Sequence, residues 1–328
     1  MDLKKFMKET PVVDMHFDLL MDLSAKKLRG ETDIIKNHHI SNFRKGNINI
    51  IIAAVFLEDM YIPDKALHEA LDQIAYFMEE LGKNDEIHLC LSYEDIDYCL
   101  KNKKTGIFIS LEGAEPIMND IYLLDIFYQL GTRFLGITWS RRNYAGDGCK
   151  FGISDKNYGG GLTEFGIELI KKCEKTGIIP DVSHLNDKGL KDVLKYTAKP
   201  FIASHSNSRK LIDISRNLSD KQIEKIAKRG GIIGVNGYNR FYCPENKPDM
   251  DYFAANIKNI IEAGGEDCIG IGLDIMDHLG ENENQSGIIK NHSEMGAVAE
   301  GLFERGFKEE QIKKILGGNF LSFYKKAL

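Results

Sequence analysis

Short apolar runs, each ending in polar residues, alternate along the chain with amphipathic stretches. The runs are "VVDMHFD" (12–18), "NINIIIAAVF" (47–56), "GIFISLEG" (106–113), "FLGITWS" (134–140), "GIIPDVSH" (177–184), "PFIASHS" (200–206), "GGIIGVNG" (230–237) and "CIGIGLD" (268–274). Their near-continuous Val and Ile content predicts parallel strands covered on both faces. Between them, "ALHEALDQIAYFMEELGK" (66–83) and "LTEFGIELIKKCEKTG" (162–177) carry apolar residues at helical spacing, the second with Thr163 as N-cap and Gly177 past its last turn. "SDKQIEKIAKRGG" (219–231) opens on Ser219 and closes on basic residues and glycine, as helix polarity favours, and "YFAANIKNIIEAGG" (252–265) repeats the device. Ahead of the second run, around "ISNFRKGN", the helical signal is weak. About eight βα units predict an α/β fold of the (β/α)8 TIM-barrel type, with a doubly wound open sheet as the alternative. No composition break or long linker divides the chain, so one catalytic domain over 1–328 is expected. The polar stretch 276–296 reads as a long loop over one end of the barrel.

Ligand-type residues collect at the ends of these runs. His16 and Asp18 end the first, Glu112 the third, His184 the fifth, His205 the sixth and Asp274 the eighth. In a parallel barrel all these ends lie on one face, where active sites of this fold sit. In the first run, Asp14, His16 and Asp18 stand at i, i+2 and i+4, and strand alternation predicts that all three point the same way. Asp14 has a second reading, bonding backbone amides or orienting His16. Three histidines and two carboxylates exceed the needs of one four-coordinate zinc with an open position. A pair of zinc ions, bridged by Glu112 and a hydroxide nucleophile, would use them all. His38, His39, His68, His88, His278 and His292 fall elsewhere and read as solvated or loop residues, His278 being nearest the site. "DVSH" and "ASHS" pair Ser with His in sequence, but alternation would turn Ser183 and Ser204 away from their neighbouring imidazoles.

Composition narrows the partners. Apolar residues make up 43% of the 328 residues and charged ones 28%, ordinary for a globular chain. A net charge of -6 argues against nucleic acid, which needs a basic surface. No run is long enough to span a membrane, and the N-terminus has no signal-type apolar segment, so a cytoplasmic location is expected. The six cysteines form no C-x-x-C pair and read as free thiols. No Gly-rich nucleotide loop or G-x-S-x-G is present. Nothing selects an oligomeric state, and a homodimer stays open.

As a set, "DMHFD", "SLEG", "DVSH", "ASHSNSR", "RNLSD", "GIGLD" and "GGNF" resemble the membrane (renal) dipeptidase family of zinc peptidases, in order and spacing over nearly the whole chain. The resemblance implies a (β/α)8 barrel with two zinc ions, one held by His16 and Asp18, the other by His184 and His205, with Glu112 between them. It implies that Arg216 holds the terminal carboxylate of a dipeptide-like substrate and that Asp274 handles protons. It also marks one departure. Where mammalian members carry a histidine that binds the scissile carbonyl oxygen, this chain reads "GITWSRRN", with Trp139 in that place. An indole N–H donates one hydrogen bond but carries no charge. Either Arg141 or Arg142 takes over the role, or Trp139 is a pocket wall for a different substrate. The expectation is therefore a dipeptidase acting on free C-terminal carboxylates. An amidase or lactamase on the same metals, and a metal-containing binding protein with weakened catalysis, are the alternatives.

Overall fold

Each of the eight apolar runs contains a strand in the computed structural model, which describes residues 2–150, 159–275 and 287–327. The strands are β1 (Val12–Phe17), β2 (Ile48–Val55), β4 (Thr105–Leu111), β5 (Thr132–Gly136), β6 (Ile179–Asp181), β7 (Ile202–Ala203), β8 (Ile232–Val235) and β9 (Ile269–Ile271). All pair in parallel, and the ring closes because β1 bonds both β2 and β9 while β2 bonds β4. The result is a TIM barrel. A short extra strand, β3 (Ile87–Leu89), pairs with β4 alone and stands outside the ring.

Alternation along the strands sorts two apolar layers. On β2, Ile50 and Ile52 face the barrel interior while Ile51, Ala53 and Val55 face the helices. On β4, Phe108 faces in, and Ile107, Ile109 and Leu111 face out. Phe320 and Tyr324, on the helix Asn319–Ala327, pack against Phe108 and Phe134 inside the barrel. Because β4 runs from there toward Glu112, this aromatic plug leaves the C-terminal ends of the strands as the open face.

The helices follow their sequence signals. Ala66–Lys83 spans the amphipathic stretch. Thr163 caps Glu164–Thr176 by accepting from Gly166 N–H, and Gly177 ends that helix at φ 84°. Ser219 and Gln222 form a capping box on Asp220–Lys228, and Met250–Gly264 forms the last of the expected four. The weak signal ahead of β2 is a short helix, Ile40–Gly46. Of the loop expected over 276–296, residues 276–286, with His278, lie outside the described residues; 292–294 form a 3-10 turn and a helix starts at Met295. All six cysteines are free and buried. No described helix is long and apolar enough to cross a membrane.

Candidate metal centre

Glu112 stands at the middle of a ring of strand ends. Phe108 points into the barrel, and alternation carries Ser110 and then Glu112 to the same side. Glu112 Oε1 lies 3.1 Å from His184 Nε2, 3.4 Å from His205 Nε2 and 3.7 Å from His16 Nε2. His16 Nε2 is also 3.6 Å from Asp18 Oδ1 and 3.8 Å from Asp274 Oδ1. The His184 and His205 Nε2 atoms are 2.9 Å apart, and the His16 ring stacks on that of His205 at 3.6 Å. The six residues read from five strand ends of the sequence thus converge within one buried cluster. Two of them, His184 (φ 66°) and Asp274 (φ 57°), sit just past β6 and β9 in the left-handed region, a conformation that concentrates at functional sites.

Strand alternation does not hold through β1. Val13 and Met15 face the barrel interior, but Phe17 faces the helices, and the pairing with β2 shifts register between Asp14 and Phe17. That irregularity lets His16 turn toward the site directly after inward-facing Met15. Asp14 does not share its direction. The Asp14 carboxylate accepts the backbone N–H groups of His16 and Leu273 and pairs with His292 Nε2 at 2.8 Å. Of its two readings, backbone bonding is the one observed. His292 is correspondingly buried rather than solvated, as is His39, which pairs with Asp22 at 2.8 Å.

Electrostatics suit a cation. Burial first, then nearby positive groups including Arg216 and His16, hold the His184 and His205 imidazoles well below the usual histidine value. Both are therefore neutral near pH 7, with nitrogen lone pairs to offer. Burial, then the Asp18 and Asp274 carboxylates, push Glu112 well above the usual carboxylate value, against the pull of Arg216. His16 Nε2 is buried and makes no hydrogen bond. An orphaned imidazole nitrogen among crowded carboxylates is the arrangement that a bound dication would satisfy. The donor set of imidazole nitrogens and carboxylate oxygens fits zinc.

The imidazoles are held from behind by hydroxyl groups to which the sequence reading gave no part in the site. Ser204 Oγ donates to Asp181 Oδ2 and meets His205 Nδ1 at 2.7 Å. Ser140 Oγ meets His184 Nδ1 at 2.8 Å. Asn236, directly after β8, donates to Asp274 Oδ2 at 2.9 Å. Its strand-end position was the available signal, the same one that marks the other site residues. Ser204 does not turn away from His205, because β7 ends at Ala203 and strand alternation no longer applies. Gly234 and Gly272 let β8 and β9 close over this end, since a Cβ on either would lie within 2 Å of Ser204 O.

A pocket of about 420 Å³ opens above the ring. Asp18, Glu112, His184 and Asp274 contribute from the metal cluster, and Met21, Phe56, Trp139, Tyr238 and Phe241 supply apolar surface. The Trp139 ring sits 5.3 Å from Phe56 and 5.7 Å from His184. The two arginines considered as replacements for the missing histidine are engaged elsewhere. Arg141 bonds Glu115, Asp59 and the Leu57 carbonyl, and Arg142 pairs with Asp147. Neither lines the pocket among the described residues. Arg216 is buried, donating to Ser206 Oγ and His205 O, while its Nε has no hydrogen-bond partner.

Similarity to known proteins agrees with this geometry. The sequence profile of the membrane dipeptidase family, peptidase family M19, matches residues 1–327. An uncharacterized protein in the PQQ-III 3′ region of Acinetobacter calcoaceticus is 38% identical over 51% of this chain and 53% of its own. Dipeptidase 3 of Rattus norvegicus is 27% identical over 98% of this chain and 66% of its own, so the matches span about half to two thirds of these two relatives. A metallo peptidase from Rhodobacter sphaeroides, solved with a phosphinate mimic of the dipeptide L-Ala-D-Ala, superimposes with a TM-score of 0.88 at 23% identity, covering 98% of this chain and 100% of that one. The chain belongs to the membrane dipeptidase family of metallopeptidases, peptidase family M19.

Proposed function

We propose that the chain is a dipeptidase that works with two zinc ions and cleaves short peptides bearing a free C-terminal carboxylate. The observation that carries this reading is the convergence of three imidazoles on Glu112 Oε1, within 3.7 Å. His16 and Asp18 would hold one ion, His184 and His205 the other, and Glu112 both. When bound, the ions supply Lewis acidity and lower the pKa of water. The rest falls to the chain itself. Asp274, fixed by Asn236, exchanges a proton with the substrate's leaving amine. Arg216, whose Nε has no protein partner, receives the substrate carboxylate. Trp139 walls the pocket beside Phe56 and excludes water from the reacting amide.

The test combines metal analysis with dipeptide hydrolysis by the zinc-loaded protein. About two ions per chain and turnover of dipeptides, in either configuration at the C-terminal residue, are expected. The ligand reported for the Rhodobacter sphaeroides relative makes the D configuration worth including. Glu112→Ala should lose more than one ion's worth of binding. Full two-ion occupancy in that variant would remove the bridging role.

A further inference from the structure

Four carboxylates line the pocket, those of Asp18, Glu58, Glu112 and Asp274, and among the described lining residues Arg240 is the one arginine or lysine facing them. Arg240 is exposed and makes no hydrogen bond or ion pair with any described residue. Its backbone, by contrast, is held. It sits in the turn Asn239–Phe241 after β8, where Cys243 N–H donates to Asn239 O at 2.8 Å. Asn217 Nδ2 donates to Phe241 O at 2.8 Å, tying this turn to the loop that carries Arg216. The Arg216 guanidinium lies 5.6 Å from the centre of the Phe241 ring. Phe241 therefore has one guanidinium over its ring, and the pocket-lining Arg240 is the residue directly before it in the turn. Arg216 is buried against the cluster around Glu112, and Arg240 has no hydrogen-bond or ion-pair partner among the described residues.

An arginine with no partner among the described residues, on a fixed turn in a pocket rich in carboxylates, is available to an anion brought by the ligand. A guanidinium fork pairs with a carboxylate bidentately. If Arg216, which faces the Phe241 ring, takes the terminal carboxylate, Arg240 is the cation of the pocket lining left for the side chain of that same residue. We propose that Arg240 is a specificity residue that selects dipeptides whose C-terminal residue is acidic, aspartate or glutamate. This rests on the dipeptidase reading above and goes beyond it by naming the substrate class.

The test compares kcat/KM of the zinc-loaded protein for Ala-Glu and Ala-Gln, which have nearly the same shape, in each configuration at the second residue. The expected ratio is about tenfold or more in favour of Ala-Glu, carried mainly by KM. In Arg240→Met the ratio should fall to near one. In Arg240→Lys part of it should survive, because charge remains without the fork. In Arg240→Glu the preference should pass to Ala-Lys. Equal rates for Ala-Glu and Ala-Gln in the unsubstituted protein would overturn this inference and leave the dipeptidase reading standing. So would an equal loss on both substrates in Arg240→Met, which would place Arg240 on the terminal carboxylate instead. No turnover of any dipeptide would overturn both.

Discussion

Ser204 has one proton to give, and it goes to Asp181 Oδ2. Its oxygen is left to accept from His205 Nδ1–H at 2.7 Å, which fixes the tautomer and leaves Nε2 of His205 with a bare lone pair facing Glu112. Asp181 is itself held by the backbone N–H groups of Ser183 and Ser204. Ser204→Ala breaks this chain without touching a ligand atom. Zinc affinity should fall by about 10- to 100-fold. Competition with a chelator of known affinity would read this directly, and an unchanged constant would show that the hydroxyl only fills space. The residue types of the site were legible because ligand chemistry at strand ends stands out against Val/Ile runs. Their directions were less legible. Alternation failed at Asp14 within the irregular part of β1, and at Ser204 just past the end of β7.

At the scale of elements, all eight strands of the ring and four of the longer helices carry their own signals: apolar runs, caps and terminal glycines. The helix Leu123–Gln129 was not read, since seven residues offer few turns in which periodicity can repeat. Longer-range pairs leave no local pattern at all. His292 and Asp14 are 278 residues apart, yet their bond joins the 3-10 turn His292–Glu294 to β1. The His292 ring packs edge-on to Phe17 and Phe43, and Gly46 lets its helix approach so closely that a Cβ there would meet His292 O at 1.9 Å. His292→Ala would leave the Asp14 carboxylate with its two backbone donors and no side-chain partner, in a fully buried position. A loss of about 3 kcal/mol is expected in denaturant unfolding. Because Asp14 also holds His16 N–H, metal affinity should weaken with it. A variant of unchanged stability would mean that the two backbone donors suffice.

For the molecule as a whole, a site built to hold cations works against the stability of the metal-free fold. Glu112 is the clearest case, because burial and its neighbours Asp18 and Asp274 raise its pKa well above the usual 4.5. Below about pH 4.5 the carboxyl is protonated in both folded and unfolded chains and costs nothing. As pH rises through 4.5 the unfolded chain releases the proton while the folded chain retains it. Folding is penalised increasingly until the raised folded value is passed. Above that folded value the penalty is at its largest. His184 and His205 act in the opposite direction. Their folded pKa values are lowered, so stability is lost as pH falls below the usual 6.5 and the unfolded imidazoles take up protons. Glu112→Gln keeps the shape of the side chain and removes its charge, and the histidine contribution largely cancels when the two proteins are compared. The metal-free variant should be more stable than the metal-free parent at pH 8. That advantage should shrink to nothing near pH 4. Adding zinc should reverse the order at pH 8, since ligand binding to the native state stabilises the parent in proportion to its affinity and the variant lacks the Glu112 carboxylate proposed as a ligand. Denaturant unfolding of both proteins, with chelator and with excess zinc, gives the four numbers needed. Equal metal-free stabilities at pH 8 would mean that the carboxylates around Glu112 do not oppose folding.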